Sequence, residues 1–228
     1  MFWDPTYILV IIGAVICAIA SFNVKSTFNK FSKHQNSRGI TAQDVAANIL
    51  HNAGIYDVRI ERIDGNLTDH YSPNEKVLRL SDSVYNSTSI AAIGVAAHEC
   101  GHAIQHQNSY FPLKLRAFSV PLANIGSILS WPLIVIGLLL GITGLAQIGV
   151  ILFSFIVAFQ LITLPVEFNA SKRALAILSG SGILMGEELT GAKKVLTAAA
   201  LTYVAALFSS ILQLLRLLIL TQRRNDRD

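Results

Sequence analysis

Residues 89–106 read SIAAIGVAAHECGHAIQH, and this stretch decides how the rest of the chain is interpreted. Ser87, Thr88 and Ser89 each offer an N-cap, and the small and aliphatic residues after them keep a helical spacing, so a helix is predicted over the whole stretch. Within it, His98, Glu99 and His102 form an H-E-x-x-H motif. Two imidazoles four positions apart on a helix stand one turn above each other and can reach the same ion. The stretch therefore predicts a metal site on a helix.

The chemistry expected of this motif is hydrolysis of a peptide bond with Zn²⁺ as the cofactor. Two imidazole nitrogens about 2.0–2.1 Å from the ion are typical zinc ligands. Glu99 lies beside the metal rather than on it, where it can take a proton from zinc-bound water and return it to the leaving amine. We therefore predict a zinc metallopeptidase that acts on a polypeptide substrate, with Glu99 as the general base.

Two other side chains of the same helix are not predicted to bind the metal. His106 is about 12 Å from His98 along the helix axis, which is too far for one ion to bridge. Cys100 is two positions from each histidine, about 200° round the helix, so it is expected in the core. Cys100 and Cys17 provide no disulfide framework.

The composition predicts a membrane protein. Of the 228 residues, 52% are hydrophobic and only 14% are charged, whereas soluble domains are nearer a quarter charged. The net charge is +4, and basic residues lie beside the apolar blocks, as expected of loops facing an anionic cytoplasmic leaflet. The basic residues are not interleaved with aromatic ones as in nucleic-acid surfaces, so the predicted partner is the lipid bilayer and not a nucleic acid.

The apolar blocks predict three to four transmembrane helices in a mainly α protein. Residues 6–22 are expected to be an anchor rather than a signal peptide, because the positive charges follow the segment. Residues 118–164 are expected to form a transmembrane hairpin. Residues 195–220 either cross the bilayer as a fourth helix or lie in the interface, with Arg216 reaching the headgroups.

Residues 25–114 are predicted to form a small α+β metallopeptidase domain on the cytoplasmic side. Thr41 is expected to cap a short amphipathic helix. The runs Val58–Ile63 and Val77–Leu80 have the pattern of strands, and two or three strands are expected. We also predict that Val77–Leu80 is an edge strand that aligns an extended substrate by backbone pairing.

Residues 165–194, which follow the hairpin, are expected to supply a third ligand and a loop. They begin with PVEFNASKRA at residues 165–174. If the hairpin crosses the membrane and returns, Glu167 emerges on the same face as His98 and His102. A catalytic zinc usually needs three protein ligands and an open fourth position, and Glu167 would complete that set. The alternative is an ordinary glutamate that pairs with Lys172 or Arg173.

Three strings carry a family resemblance: LTDHY at residues 67–71, AAHECGHAIQ at 96–105 and LPVEF at 164–168. They resemble the YugP-type family of bacterial membrane zinc metallopeptidases over most of the chain. More distantly, the arrangement is similar to gluzincins of the HtpX-like and CAAX prenyl protease groups. The resemblance implies Glu167 as the third ligand, a multi-pass protein of the bacterial cell membrane, and an active site on the cytoplasmic side or at the membrane surface.

One position departs from the family pattern. The expected string is Glu-Phe-Asp-Ala-Ser, and this chain has Asn169 where the aspartate is expected. If that carboxylate orients a zinc-bound histidine, an amide would hold the histidine more weakly. A group that stabilises the oxyanion is also expected near the metal, and the spacing does not rank the possible residues, which are His70, Tyr71, Arg173 and Tyr203.

Two other classes of function compete with the peptidase. A membrane scaffold or chaperone with a structural zinc site would usually have four protein ligands and no neighbouring base, which Glu99 argues against. A transporter or channel would place ionisable residues within its spans, and residues 118–164 contain none. The expected substrates are membrane-associated or misfolded polypeptides.

Overall fold

The computed structural model describes residues 4–225, with side chains up to residue 222. In this part of the chain, six helices and three strands follow one another as α1 (Tyr7–Phe31), α2 (Ala42–Asn52), β1 (Arg59–Ile63), β2 (His70–Ser72), β3 (Val77–Ser81), α3 (Ile90–Gln107), α4 (Phe111–Leu140), α5 (Thr143–Gly180) and α6 (Gly186–Asn225). These helices and strands confirm the prediction of a mainly α protein with a small α+β domain.

Four of these helices are long and apolar enough to cross a membrane, judged by length and composition. They are α1, α4, α5 and α6 up to Gln222. Only 6–22% of the residues in the apolar window of each helix are buried inside the protein, as expected for helices that are surrounded by lipid. The chain is therefore a membrane protein. The helix α5 continues through Pro165, so the last residues of the second apolar block and the segment with Glu167 form one helix.

The chain divides into two compact units. The first, which we call the span unit, contains the residues up to Ser21, Lys114–Pro165 and the residues from Leu201 onward. Its helices α4 and α5 approach closely at Gly149, where an added Cβ would lie 2.8 Å from the Ser130 carbonyl oxygen. Small residues that let backbones approach are typical of helix packing in membranes.

The second unit, which we call the site unit, contains Phe22–Leu113 and Val166–Ala200. Its hydrophobic core surrounds α3 and includes Val45, Ile49, Leu78, Leu80, Ile93, Ala97, Leu178 and Leu184. The predicted N-cap of α2 is confirmed, since the Thr41 hydroxyl accepts from the Asp44 amide, and of the three residues considered for α3 it is Ser89 whose hydroxyl accepts from the Ala92 amide. The caps fix where α2 and α3 begin, and the core holds α3 against its neighbours.

The three strands form one sheet in the order β1-β3-β2. β1 pairs with β3 in parallel, and β2 pairs with β3 in antiparallel orientation. The prediction that Val77–Leu80 is an edge strand is therefore wrong, because β3 is the central strand. The physical reason is burial: Val77, Leu78 and Leu80 are fully buried, while β1 is rich in charge and β2 is short and polar, as edge strands usually are.

Candidate metal centre

The helix α3 places the two histidines of the motif on one face. The rings of His98 and His102 have centroids 4.7 Å apart and are almost perpendicular. From α5, the Oε2 atom of Glu167 lies 3.3 Å from His98 Nε2 and 3.7 Å from His102 Nε2. The ligand atoms of these three residues all lie within 4.8 Å of one another, so they could hold a metal ion.

The three side chains are largely shielded from solvent. His98 and His102 are 15% and 12% exposed, and Glu167 is 4% exposed. A buried carboxylate is costly unless it is paired, and here both imidazoles face it. Two nitrogen ligands and one oxygen ligand form a donor set that zinc accepts, and three protein ligands leave a fourth coordination position.

Gly101 lets α5 come close enough for Glu167 to reach the histidines. A Cβ atom at this position would lie 2.7 Å from the backbone carbonyl oxygen of Ala170, closer than real Cβ contacts. Ala170 is one helical turn after Val166 and is fully buried. The glycine inside the motif is therefore a packing residue, and any larger residue would push the two ligand-bearing helices apart.

The ring nitrogens that point away from the centre have partners of their own. His98 Nδ1 lies 3.0 Å from Ser171 Oγ, and His102 Nδ1 lies 3.0 Å from Gln105 Oε1. Hydrogen bonds of this kind fix the orientation of a metal-binding imidazole and leave Nε2 directed at the ion. The side chains present therefore fit a zinc ion in their hydrogen bonding as well as in their distances.

Asn169, the residue that departs from the family pattern, is connected to His102 through one intervening side chain, that of Gln105. Its Oδ1 atom accepts a hydrogen bond from Gln105 Nε2 at 3.0 Å and another from Arg173 Nε at 2.7 Å. The Arg173 guanidinium also lies over the ring of Tyr110, 5.9 Å from its centroid. Asn169 thus acts on His102 through Gln105, and Glu167 faces the histidines while Arg173 binds Asn169.

The electrostatics at His102 favour a positive charge. Burial by itself lowers the pKa of His102, but the hydrogen bond with Glu167 and the charges of Glu99 and Glu167 outweigh burial and raise the pKa above its ordinary value. A site that attracts a proton in this way also attracts a metal cation.

Glu99, which directly follows His98, acts electrostatically on Asp69, and we call these two residues the acidic pair. Glu99 is 8% exposed, and its charge contributes to a raised pKa of Asp69, whose main cause is burial. Asp69 is held by the Ser81 amide at 2.7 Å and the Ser81 hydroxyl at 2.9 Å. Sequence reasoning assigned no role to Asp69, and the only signal for it was its place in the string LTDHY.

The other side chains predicted from the sequence are placed as follows. Cys100 is fully buried, as predicted, and its thiol lies 3.7 Å from the Ala46 carbonyl oxygen. Among the residues considered for the oxyanion, Tyr71 Oη lies 2.9 Å from Nδ1 of the exposed His106. His70 Nδ1 lies 2.9 Å from the Thr68 carbonyl oxygen. Tyr203 belongs to the span unit.

Comparison with known proteins gives a consistent result over nearly the whole chain. The family model described as "Putative neutral zinc metallopeptidase" matches residues 6–222. A protein of Bacillus subtilis (strain 168), named "Putative membrane protease YugP", is 49% identical over 209 residues, which are 92% of this chain and 93% of that protein. No solved structure matches the chain significantly. Both matches include the apolar helices together with the three clustered side chains.

Proposed function

Because the chain belongs to the family of neutral zinc metallopeptidases, with Zn²⁺ as the cofactor, we propose that it cleaves peptide bonds at a zinc ion bound by His98, His102 and Glu167. The observation that carries this proposal is the cluster itself. Ligand atoms from a motif on α3 and from a glutamate on α5 lie within 4.8 Å of one another. Three protein ligands and a free fourth position are typical of catalytic zinc.

The residues around the ion have distinct tasks in the proposed reaction. The zinc ion, when bound, supplies Lewis-acid chemistry by polarising the attacking water and the scissile carbonyl. Glu99 takes the proton from the attacking water and delivers it to the leaving amine. The partners of His98 and His102 at Nδ1 hold both rings so that Nε2 faces the ion. Glu167 contributes a buried negative charge that offsets the charge of the metal.

The alternative is a membrane scaffold or chaperone with a structural zinc site. Structural zinc usually has four protein ligands. Within the described residues, the cluster of metal-binding side chains has three members, and Glu99 stands next to it. The catalytic interpretation explains both facts, whereas a structural site explains neither the missing ligand nor the buried base.

We further propose that the protein is a multi-pass protein of a bacterial cell membrane with its active site on the cytoplasmic side, cleaving membrane-associated or misfolded polypeptides. Support comes from Lys25, Lys30 and Lys33, which follow the first apolar block, as expected of the cytoplasmic side. Tyr56, in the site unit, is 74% exposed, so a cysteine placed at this position can show on which side of the membrane the site unit lies. In a Cys17→Ala background, a Tyr56→Cys variant should react with an impermeant maleimide only in permeabilised cells; labelling in intact cells would refute this sidedness.

The experiment that tests the proposed activity uses detergent-purified protein and casein as a generic unfolded substrate. Removing the base with Glu99→Gln should lower the cleavage rate about 10²–10⁴-fold while zinc content stays at the wild-type level. Glu187→Gln, at an exposed glutamate at the start of α6, is the matched control and should cleave normally. Full activity in Glu99→Gln would show that this glutamate is not the base.

A further inference from the structure

We propose that Gln105 is a positioning residue that fixes which nitrogen of His102 faces the metal. This inference rests on the proposed zinc site. It adds a residue whose amide, three positions after the second histidine of the motif, decides the hydrogen-bonding state of that histidine. The argument depends on the chain of hydrogen bonds that starts at the backbone of α5.

The Gln105 side chain is fully buried, and the three hydrogen bonds that the structure shows use both N–H groups of its amide and one lone pair of its oxygen. Its Nε2 atom lies 2.8 Å from the Val166 carbonyl oxygen and 3.0 Å from Asn169 Oδ1, and its Oε1 atom lies 3.0 Å from His102 Nδ1. A backbone carbonyl can only accept a hydrogen bond. The amino group of Gln105 must therefore face Val166, and the oxygen must face His102.

This orientation determines the tautomer of His102. Because Oε1 can only accept, the bond requires that His102 Nδ1 carries the proton. In the neutral imidazole, Nε2 is then the nitrogen with the free lone pair, and it lies on the side of Glu167. The backbone of α5 thus selects the metal-binding form of a histidine on α3 through one glutamine.

The second histidine has no such fixed partner. His98 Nδ1 contacts the hydroxyl of Ser171, which can donate or accept and therefore permits either tautomer. Gln105 thus imposes on His102 a constraint that Ser171 does not impose on His98.

Asn169 and Arg173 support the orientation of the glutamine. The Asn169 side-chain oxygen accepts hydrogen bonds from both Gln105 and Arg173, so this position needs only an atom that can accept two hydrogen bonds. An amide oxygen fulfils this task as an aspartate oxygen would. This explains how an asparagine can stand here without breaking the connection to His102.

A purely structural role is the competing explanation, since Gln105 also ties α3 to α5. Two substitutions separate the roles. Gln105→Met has a similar shape and removes every hydrogen bond. Gln105→Glu keeps an acceptor for His102 but places a carboxylate against the Val166 carbonyl and Asn169 Oδ1, which removes the tie between the helices. A carboxylate that accepts from a zinc-bound histidine is a common arrangement.

The experiment measures zinc affinity by chelator competition and thermal unfolding of the full chain in detergent. Both variants should unfold at lower temperature than wild type. Gln105→Met should bind zinc roughly 10- to 100-fold more weakly, whereas Gln105→Glu should keep an affinity close to wild type. Unchanged affinity in Gln105→Met, or equally weakened affinity in both variants, would overturn the proposal.

Two further variants keep the test decisive. Asn36 is another buried amide of the site unit, bonded to the carbonyl oxygens of Ile40 and Thr88, and Asn36→Ala should lower stability without changing zinc affinity. If Gln105→Met does not fold, Gln105→Asn replaces it: its amide is one methylene too short for His102, so weaker binding is expected and unchanged binding contradicts the proposal. Wild-type protein that binds no zinc would instead refute the zinc site itself.

Discussion

The span unit and the site unit both pack helices closely, but they differ in whether their buried polar atoms have hydrogen-bond partners. Gly149 in the span unit and Gly101 in the site unit both let a helix backbone approach to a distance that no Cβ could share. Among the described side chains, the buried polar atoms without a hydrogen-bond partner are Ser130 Oγ, Gln160 Oε1 and Arg216 Nε, and all three belong to the span unit. Gln105 in the site unit makes hydrogen bonds through both its nitrogen and its oxygen.

This difference shows what a metal centre demands beyond close packing. Helices that cross a bilayer associate largely through close packing of small residues, and a missing hydrogen bond there lowers their stability. Ligands of a metal must also point in one direction, so each ligand needs a partner that is itself held in place. The site unit is therefore the part of the molecule in which single polar substitutions should change function rather than stability alone.

Among the substitutions that test this difference between the units, Gly101→Ala is expected to have the largest effect on zinc binding. The added methyl would lie 2.7 Å from the Ala170 carbonyl oxygen, so α5 must shift and Glu167 with it. Overpacking of this kind costs about 1–3 kcal/mol. We expect zinc content and casein cleavage to fall sharply, as measured by elemental analysis and a fluorescent casein assay.

Two glycines control for the effect of adding a methyl group. At Gly94, also on α3, a Cβ would make ordinary contacts at 3.5 Å with Ala192, so Gly94→Ala should retain zinc. Gly149→Ala in the span unit should lower thermal stability but leave zinc content per folded chain unchanged. A loss of zinc in Gly149→Ala equal to that in Gly101→Ala would break the distinction between the two units.

The sequence predicted the local features well because their causes lie within a few residues. The cap at Ser89 and the apolar spacing after it define α3, and the motif fixes the face on which His98 and His102 stand. The closeness of Glu167 followed from counting membrane crossings, since a hairpin returns the chain to the side from which it left. Burial of Cys100 followed from helical angles alone.

The features that sequence reasoning missed depend on contacts between distant segments. β3 lies between two neighbouring strands because it is the strand that is buried on both faces. The pattern of Val77–Leu80 alone did not distinguish a central strand from an edge strand. Gln105 meets Val166 and Asn169 more than sixty positions later, so its role has no local signature. Gly101 has its reason in Ala170, on another helix.

A smaller effect is expected from the acidic pair, through the pH dependence of stability. Burial raises the pKa of Asp69, the two bonds from Ser81 oppose this, and the charge of Glu99 adds to it. Because the folded pKa lies above the unfolded one, the contribution of Asp69 to stability is full below the unfolded pKa, about 3.9, and is lost as pH rises through the folded pKa. Ionised Asp69 therefore destabilises the fold at neutral pH.

Asp69→Asn should remove this dependence while keeping the shape, since an amide can accept from the Ser81 amide and donate to its hydroxyl. The unfolding temperature of the metal-free variant relative to wild type should be higher at pH 7 than at pH 4. Thermal unfolding at several pH values measures the difference, and a gap that widens towards pH 4 would mean that the sign is wrong.

The most direct test of the zinc centre is the zinc content of purified wild-type protein beside Glu167→Ala and the control His106→Ala. A centre formed by His98, His102 and Glu167 predicts one zinc per chain in wild type, one in the His106 variant and much less than one in the Glu167 variant. Full zinc in Glu167→Ala, or loss of zinc in His106→Ala alone, would contradict the assignment of the third ligand and with it the central claim.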